Sequence, residues 1–202
     1  MKDKILEILE KTYKGIKIFI FGIIFVVIFK STIAANIDIT IYNTILPNLR
    51  IKVPFPNSSY IFIETLILLV VLLVLKKKKS AAFLAINYII FPTLELLMKP
   101  IIRMYETETY SLIQVANASS TGNMISITTF YGFIIYLILK NIKNKYIKYS
   151  LSILLAIYIL SIGLYEISNM FQYTSDVISN IVIGIAYLIG YINICESIEK
   201  LD

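Results

Sequence analysis

The chain has 202 residues, 58% of them hydrophobic, and its mean hydropathy is +0.80. Soluble domains are about 45–50% apolar even when glycine is counted, so this composition excludes a soluble globular protein and predicts an integral membrane protein. The net charge of +6 does not indicate nucleic-acid binding, because the lysines cluster in short segments between apolar runs, where the positive-inside rule explains them better.

A charged, amphipathic segment opens the chain, with Ile5 and Leu9 on one side and Lys2 and Glu10 on the other. It predicts an N-terminal interfacial helix that leads into the first span. Six apolar runs follow, each near the length of roughly 20 residues that crosses a bilayer. They cover residues 16–35, 60–75, 81–98, 122–139, 149–165 and 177–194. The predicted fold is all-α, a six-transmembrane helical bundle that forms one domain over residues 1–202.

Two carboxylates lie within these runs, Glu64 early in the second and Glu95 late in the third. A charged group inside a bilayer is costly, so each needs an explanation. Either the two residues lie near an interface, become protonated or pair with a neighbouring helix, or they line a polar cleft beneath the outer surface. Pro92 in the same third run also predicts a kink or partial withdrawal from lipid.

The lysine and arginine residues predict the orientation of the bundle. The N-terminal segment, Lys76 to Lys79, the 140–148 loop and the C-terminus hold 14 of the 19 basic residues. Because cytoplasmic loops carry an excess of Lys and Arg, both termini are expected in the cytoplasm. The expected location is a prokaryotic plasma membrane, with residues 36–59, 99–121 and 166–176 facing outward.

Three pieces of the chain in or next to the outward segments are rich in polar residues. These are KPIIRMYETE at 99–108, SSTGNM at 119–124 and LYEISNMFQYTSD at 164–176. Each adjoins the outer end of a predicted helix, so we expect the three to converge on one pocket.

These segments resemble the signature of the phosphatidic acid phosphatase type 2 superfamily, whose membrane members have six helices. The signature reads K-x6-R-P after the third helix, P-S-G-H at the start of the fourth and S-R-x5-H-x3-D between the fifth and sixth. The third part is the most similar, since GLYEISNMFQYTSDVISNIVIG follows the cadence GLSRxxxxxHxxSDVxxGxxxG. The residues in register there are Gly163, Leu164, Ser175, Asp176, Val177 and Gly184.

The resemblance also implies which catalytic residues have changed. The nucleophilic histidine of the superfamily falls on Gln172, and its acid histidine falls on Asn123. Its two arginines fall on Glu166 and Glu106, with Arg103 a nearby but shifted substitute for the second.

Other signature positions keep their residue or its chemistry. Lys99 matches the lysine, Gly122 matches the glycine, and Thr121 keeps a hydroxyl where the superfamily has serine. Asp176 matches the aspartate that orients the nucleophile. The ligand-binding candidates are Lys99, Arg103, Asn123, Gln172 and Asp176.

The changed residues argue against phosphoryl transfer on chemical grounds. A phosphorylated enzyme intermediate needs a nucleophile and a proton donor, and histidine supplies both near neutral pH. This chain has no histidine, and glutamine and asparagine neither attack nor titrate. Glu106 and Glu166 would also repel the phosphate oxyanions that cationic donors normally hold.

Each singled-out position also has a plain structural interpretation. Asp176 suits the N-cap of the sixth span by residue type. Glu166 fits an exposed carboxylate at a helix end, and Lys99 fits an interfacial lysine whose ammonium reaches the headgroups. Gln172 and Asn123 fit hydrogen bonding inside the former pocket.

Three functions are compatible with this sequence. The first is a catalytically inactive relative of the phosphatases that binds a lipid, an envelope intermediate or a membrane partner in an outward cleft. The second is a divergent lipid phosphatase that uses Thr121 or Asp176 as nucleophile. The third is a small transporter with Glu64 and Glu95 on its pathway. We assign no catalytic residue, no metal ligand and no cofactor, and we expect membrane lipids, or another membrane protein, as partners.

Overall fold

The computed structural model describes residues 2–44, 58–103, 123–169 and 171–199. Within these ranges the chain is 93% helical and contains no strand, which confirms the all-α prediction. The helices are α1 (Lys2–Thr32), α2 (Ala34–Thr44), α3 (Ser58–Val74), α4 (Lys78–Arg103), α5 (Asn123–Asn141), α6 (Lys145–Ser168) and α7 (Thr174–Glu199).

Five of these helices, α1, α4, α5, α6 and α7, are long and apolar enough to cross a membrane. The chain is accordingly an integral membrane protein. Helix α3 has 17 residues and is shorter, about 26 Å at the rise of an ideal helix, against a hydrocarbon core of about 30 Å.

Helix α1 joins the predicted interfacial segment and the first predicted span into one helix of 31 residues. At the rise of an ideal helix it is about 46 Å long, so it exceeds the thickness of the hydrocarbon core. Helix α2 then covers part of the segment that the sequence places outside the spans, and it buries Ala34 and Asp38.

Exposed apolar side chains show which surfaces face the lipid. From Ile153 onward along α6 the exposed apolar residues cluster on one side of the helix. These residues are Ile153, Leu154, Ile157, Leu160 and Leu164. A stripe of this size would be unfavourable in water, whereas it matches the hydrocarbon of a bilayer.

The core of the bundle lies between α5 and its neighbours α6 and α7. Helix α5 carries the largest fully buried side chains, Phe130 and Phe133, and α7 contributes the fully buried Ile183. Helix α4 packs on α5 and continues through Pro92 and Pro100 without ending. Helix α3 packs mainly on α4, at the edge of the bundle.

The connection between α3 and α4 is a tight turn that Lys76 makes possible. Lys76 has a φ of 57°, and its backbone N–H donates to the Leu73 carbonyl at 2.9 Å. The N–H of Lys77 donates to the Leu72 carbonyl at 2.8 Å. This pair of bonds is the Schellman motif, which satisfies the last carbonyls of α3 and reverses the chain into α4.

The bundle has two chemically different ends. At one end Lys77 bonds Asn141, Lys140 forms an ion pair with Glu199, and the Lys79 ammonium lies 3.4 Å from the Glu199 carbonyl. We call this the lysine end. Helices α1 and α7 run antiparallel and meet at Gly15 and Gly190, where a Cβ on Gly15 would lie 2.8 Å from the Gly190 Cα. The N-terminal part of α1 is thus at the lysine end, and the α6–α7 connection is at the opposite end.

Candidate functional site

At the opposite end, four buried side chains join α1 and α2 to the start of α7. The Lys30 ammonium donates to the Asp176 carboxylate at 2.5 Å and to the Ser175 hydroxyl at 2.9 Å. The Ser175 hydroxyl and backbone N–H donate to the two Asp38 oxygens at 2.6 and 2.8 Å. We call Lys30, Asp38, Ser175 and Asp176 the lysine–aspartate cluster, and each is at most 5% exposed.

Helix ends favour the charges in this cluster. Lys30 lies in the last turn of α1, where a cation complements the partial negative charge, and Asp176 lies in the first turn of α7, where an anion is favoured. Helix α7 begins at Thr174, so Asp176 is inside the helix and the N-cap interpretation of this residue is wrong. Because a buried ion needs a partner of opposite charge, Lys30 and Asp176 stabilise each other's burial.

A second polar group lies between α4, α5, α6 and α7. Glu166, near the end of α6, is 0% exposed, which contradicts its interpretation as an exposed helix-end carboxylate. The Glu95 carboxylate accepts a hydrogen bond from the Ser126 hydroxyl. Gln172 is 3% exposed, and its side-chain oxygen accepts from the Asn180 amide at 3.1 Å. We call Glu95, Ser126, Glu166, Gln172 and Asn180 the Glu166 site.

Several polar atoms at this level have no partner in the described part of the chain. They are both carboxylate oxygens of Glu166, the Nε2 of Gln172 and the hydroxyl of Thr128. The backbone N–H of Phe171 donates to the Glu166 carbonyl at 2.9 Å, which folds the α6–α7 connection back over the end of α6.

Two glycines let the helices approach closely around the Glu166 site. A Cβ on Gly163 of α6 would lie 2.9 Å from Val177 Cγ1 on α7 and 3.5 Å from Met124 Cε on α5. A Cβ on Gly184 of α7 would lie 2.9 Å from the Thr128 Cβ on α5. Real Cβ atoms do not approach other atoms this closely, so these positions need glycine for packing.

Of the other predicted site residues, Lys99 lies one turn beyond Glu95 on α4 and is half-buried. Arg103 ends α4 and Asn123 begins α5, and their side chains lie outside the described part of the structure. Glu106, Thr121 and Gly122 also lie outside the described residues. Of the three segments predicted to converge, the structure describes residues 99–103, 123–124, 164–169 and 171–176.

Glu64 and Glu95 both turn toward α5, at different faces. Glu64 accepts a hydrogen bond from the Tyr131 hydroxyl at 2.8 Å, and Glu95 accepts one from Ser126. Tyr131 and Ser126 are separated by five positions, which turns an ideal helix by about 140° beyond one full turn. Each carboxylate is thus paired with a neighbouring helix, and the two do not line one common face of α5.

Sequence reasoning did not find Lys30, Asp38 or Asn180 as site residues. Lys30 is one of the five basic residues outside the segments predicted to be cytoplasmic, and Asp38 lies in a segment expected outside the spans. The signal that points to Lys30 is a lysine at the end of an apolar run opposite an aspartate that begins the last run, because ionisable residues at such depth usually pair. Asn180 carries no comparable signal in a chain that contains many asparagines.

The lysine–aspartate cluster contains a serine beside a lysine, which invites comparison with Ser–Lys catalytic pairs. In such a pair the lysine nitrogen accepts the serine proton, whereas here Lys30 donates to Ser175 and Asp176 and the Ser175 hydroxyl donates to Asp38. Ser175 is 0% exposed and uses its hydroxyl and backbone N–H to hold Asp38. The geometry therefore fits a structural junction, and it does not present an accessible nucleophile.

No protein family, curated protein or solved structure matches this chain significantly. The resemblance to the phosphatase superfamily accordingly rests on the quoted motif residues.

Proposed function

We propose that the protein is a non-catalytic membrane protein with the six-helix architecture of the phosphatidic acid phosphatase type 2 superfamily, and that it binds a lipid headgroup at the Glu166 site. The observation that carries this proposal is Glu166 itself, a fully buried carboxylate without a partner among the described residues.

The residues at the superfamily's catalytic positions support the non-catalytic part of the proposal. Gln172 stands where the nucleophile would be, and its carbonyl oxygen is bonded to Asn180. Asp176, which would orient a histidine, is instead bonded to Lys30. The chain has no histidine that could replace the missing nucleophile or proton donor.

The cost of unpaired polar groups supports the binding part. A polar group that is buried without a hydrogen bond costs about 1–3 kcal/mol, and an ionised one costs more. Glu166, near the end of α6, has two unpaired oxygens, and Gln172, in the connection from α6 to α7, has an unpaired nitrogen. A ligand that bonds these atoms would remove that cost.

The proposed placement in the membrane follows from the two ends of the bundle. With the lysine end in the cytoplasm, the Glu166 site lies toward the outer leaflet. Helix α3 supplies the sixth span in this arrangement. Its length is short by about 4 Å, which local thinning of the bilayer accommodates at modest cost.

The two other candidate functions have less support. A phosphatase that uses Asp176 would have to release it from Lys30. A transport pathway through Glu64 and Glu95 would need both on one surface, whereas they bond different faces of α5.

The test combines a phosphate-release assay with lipid retention. Purified protein in detergent is incubated with phosphatidic acid and undecaprenyl pyrophosphate, beside the double variant Thr121→Ala/Asp176→Ala. Native mass spectrometry then compares the lipid retained by the wild type, by Glu166→Gln and by Glu64→Gln, the last being a matched intramembrane control.

We expect no phosphate release, and lipid retention that falls in Glu166→Gln and persists in Glu64→Gln. Turnover that disappears in the double variant would instead establish a phosphatase with an unusual nucleophile. Equal retention in both glutamine variants would remove Glu166 from the binding site.

A further inference from the structure

The unpaired atoms of the Glu166 site are chemically complementary. An ionised carboxylate only accepts hydrogen bonds, and Glu166 has both oxygens unpaired. An amide nitrogen only donates, and the Nε2 of Gln172 is unpaired as well. A single ligand that satisfies Gln172 and the ionised form of Glu166 therefore donates hydrogen bonds at one position and accepts them at another.

The charges near the site favour a cationic donor. The Lys30 ammonium is bonded to Asp176 and Ser175, so it does not neutralise Glu166. Lys99 lies one turn beyond Glu95 on α4. A positive group beside Glu166 would favour the ionised form of this carboxyl, which burial alone disfavours.

We propose that the Glu166 site selects lipids whose headgroup carries a primary ammonium next to a phosphate. The ammonium donates to the carboxylate of Glu166, and a phosphate oxygen accepts from the Nε2 of Gln172. This inference rests on the proposed function and specifies the ligand class of the same site.

Other ligand classes leave part of the site unsatisfied. A quaternary ammonium has no N–H, so it would leave the oxygens of Glu166 without hydrogen bonds. An anionic headgroup without an amine would be repelled by Glu95 and Glu166. A metal ion would leave the Gln172 nitrogen unpaired, and the described residues contain no group of three His, Cys, Asp or Glu that could hold one.

The experiment measures lipid selectivity in purified, delipidated protein. Dioleoyl phosphatidylethanolamine, phosphatidylcholine and phosphatidylglycerol compete for binding in mixed micelles, and free phosphoethanolamine serves as a separate arm that distinguishes the headgroup alone from the lipid. The variants are Glu166→Gln and Gln172→Leu, with Glu64→Gln as the control. Circular dichroism and size-exclusion chromatography establish that each variant is folded.

We expect wild type and Glu64→Gln to prefer the ethanolamine lipid over the choline lipid by about tenfold, the size of one charge-assisted hydrogen bond. Glu166→Gln should lose most of that preference, and Gln172→Leu should weaken binding of both phosphate-containing zwitterions. Binding of free phosphoethanolamine with the same dependence on Glu166 would assign recognition to the headgroup alone.

Two outcomes would overturn the inference in different ways. Equal binding of the ethanolamine and choline lipids, or a preference for phosphatidylglycerol, would reject the ammonium while leaving lipid binding at Glu166 in place. Absence of binding by folded wild type to every lipid would reject both this inference and the proposed function.

Discussion

The lysine–aspartate cluster and the Glu166 site lie at the same end of the bundle, and each takes some of its residues from the stretch 163–184. They differ in whether their buried ionisable side chains have partners. In the first, Lys30 bonds Asp176 and Ser175, and Ser175 bonds Asp38. In the second, Glu166 is equally buried and has no partner in the described part of the chain.

This difference is why we propose a structural role for the lysine–aspartate cluster and a binding role for the Glu166 site. Paired buried charges fix the relative position of α1, α2 and α7, because breaking one pair leaves an uncompensated ion. An unpaired buried carboxyl makes no comparable contribution to folding, and under our proposal a ligand accounts for its burial. Replacing a buried ionisable side chain by an apolar one should accordingly lower stability in the lysine–aspartate cluster and raise it at Glu166.

The largest expected effect is at Lys30. Lys30→Met keeps the length and apolar stem of the side chain and removes its ammonium, which leaves Asp176 buried without that partner. Breaking a buried pair from one side costs about 3–5 kcal/mol, so the free energy of unfolding should fall by that amount. Thermal unfolding of the purified protein, followed by circular dichroism in detergent, measures the change.

The double variant Lys30→Met/Asp176→Asn provides the control for this prediction. Removing both charges should recover part of the loss, because position 176 is then neutral and the Asp38 carboxylate keeps its hydrogen bonds from Ser175. A double variant that is less stable than Lys30→Met would show that the two residues do not act as a pair.

The sequence predicts the positions of the helices better than the contacts between them. Apolar runs of membrane length predicted the positions of α4, α5, α6 and α7 closely, because a bilayer restricts spanning segments to helices. The motif register assigned Gln172 and Asp176 to one site, and in the structure they bond different partners, Asn180 and Lys30. The partners Lys30 and Asp38 were missed because they are about 140 positions away from Asp176 and Ser175, and no local pattern encodes that pairing.

At Glu166 the expected change in stability has the opposite sign. Glu166→Leu replaces an unpaired buried carboxylate with an apolar side chain of similar size. Removing an unsatisfied buried group should raise the free energy of unfolding of delipidated protein by about 1–3 kcal/mol. Thermal unfolding in detergent, before and after lipid is added back, measures both this gain and the loss of stabilisation by lipid.

A decrease in stability for Glu166→Leu would contradict the comparison, because it would mean that Glu166 has a stabilising partner within the protein. Leu164→Ala, on the exposed face of the same helix, is the matched control for a change on α6 that leaves the buried site intact.

The smallest expected effect is at Glu64, which is less buried than Asp176 or Glu166 and has a neutral hydrogen-bond donor as its partner. It is half-buried and accepts one hydrogen bond, from the Tyr131 hydroxyl at 2.8 Å. Tyr131→Phe removes this bond and keeps the ring, whose edge-on contact with Tyr158 has a centroid distance of 5.2 Å. A neutral donor on a partly exposed acceptor is worth about 0.5–1.5 kcal/mol, so the loss should be well below that of Lys30→Met. If thermal unfolding shows an equal loss for both variants, Glu64 is held as firmly as Asp176, and pairing with a lysine is not what distinguishes the lysine–aspartate cluster.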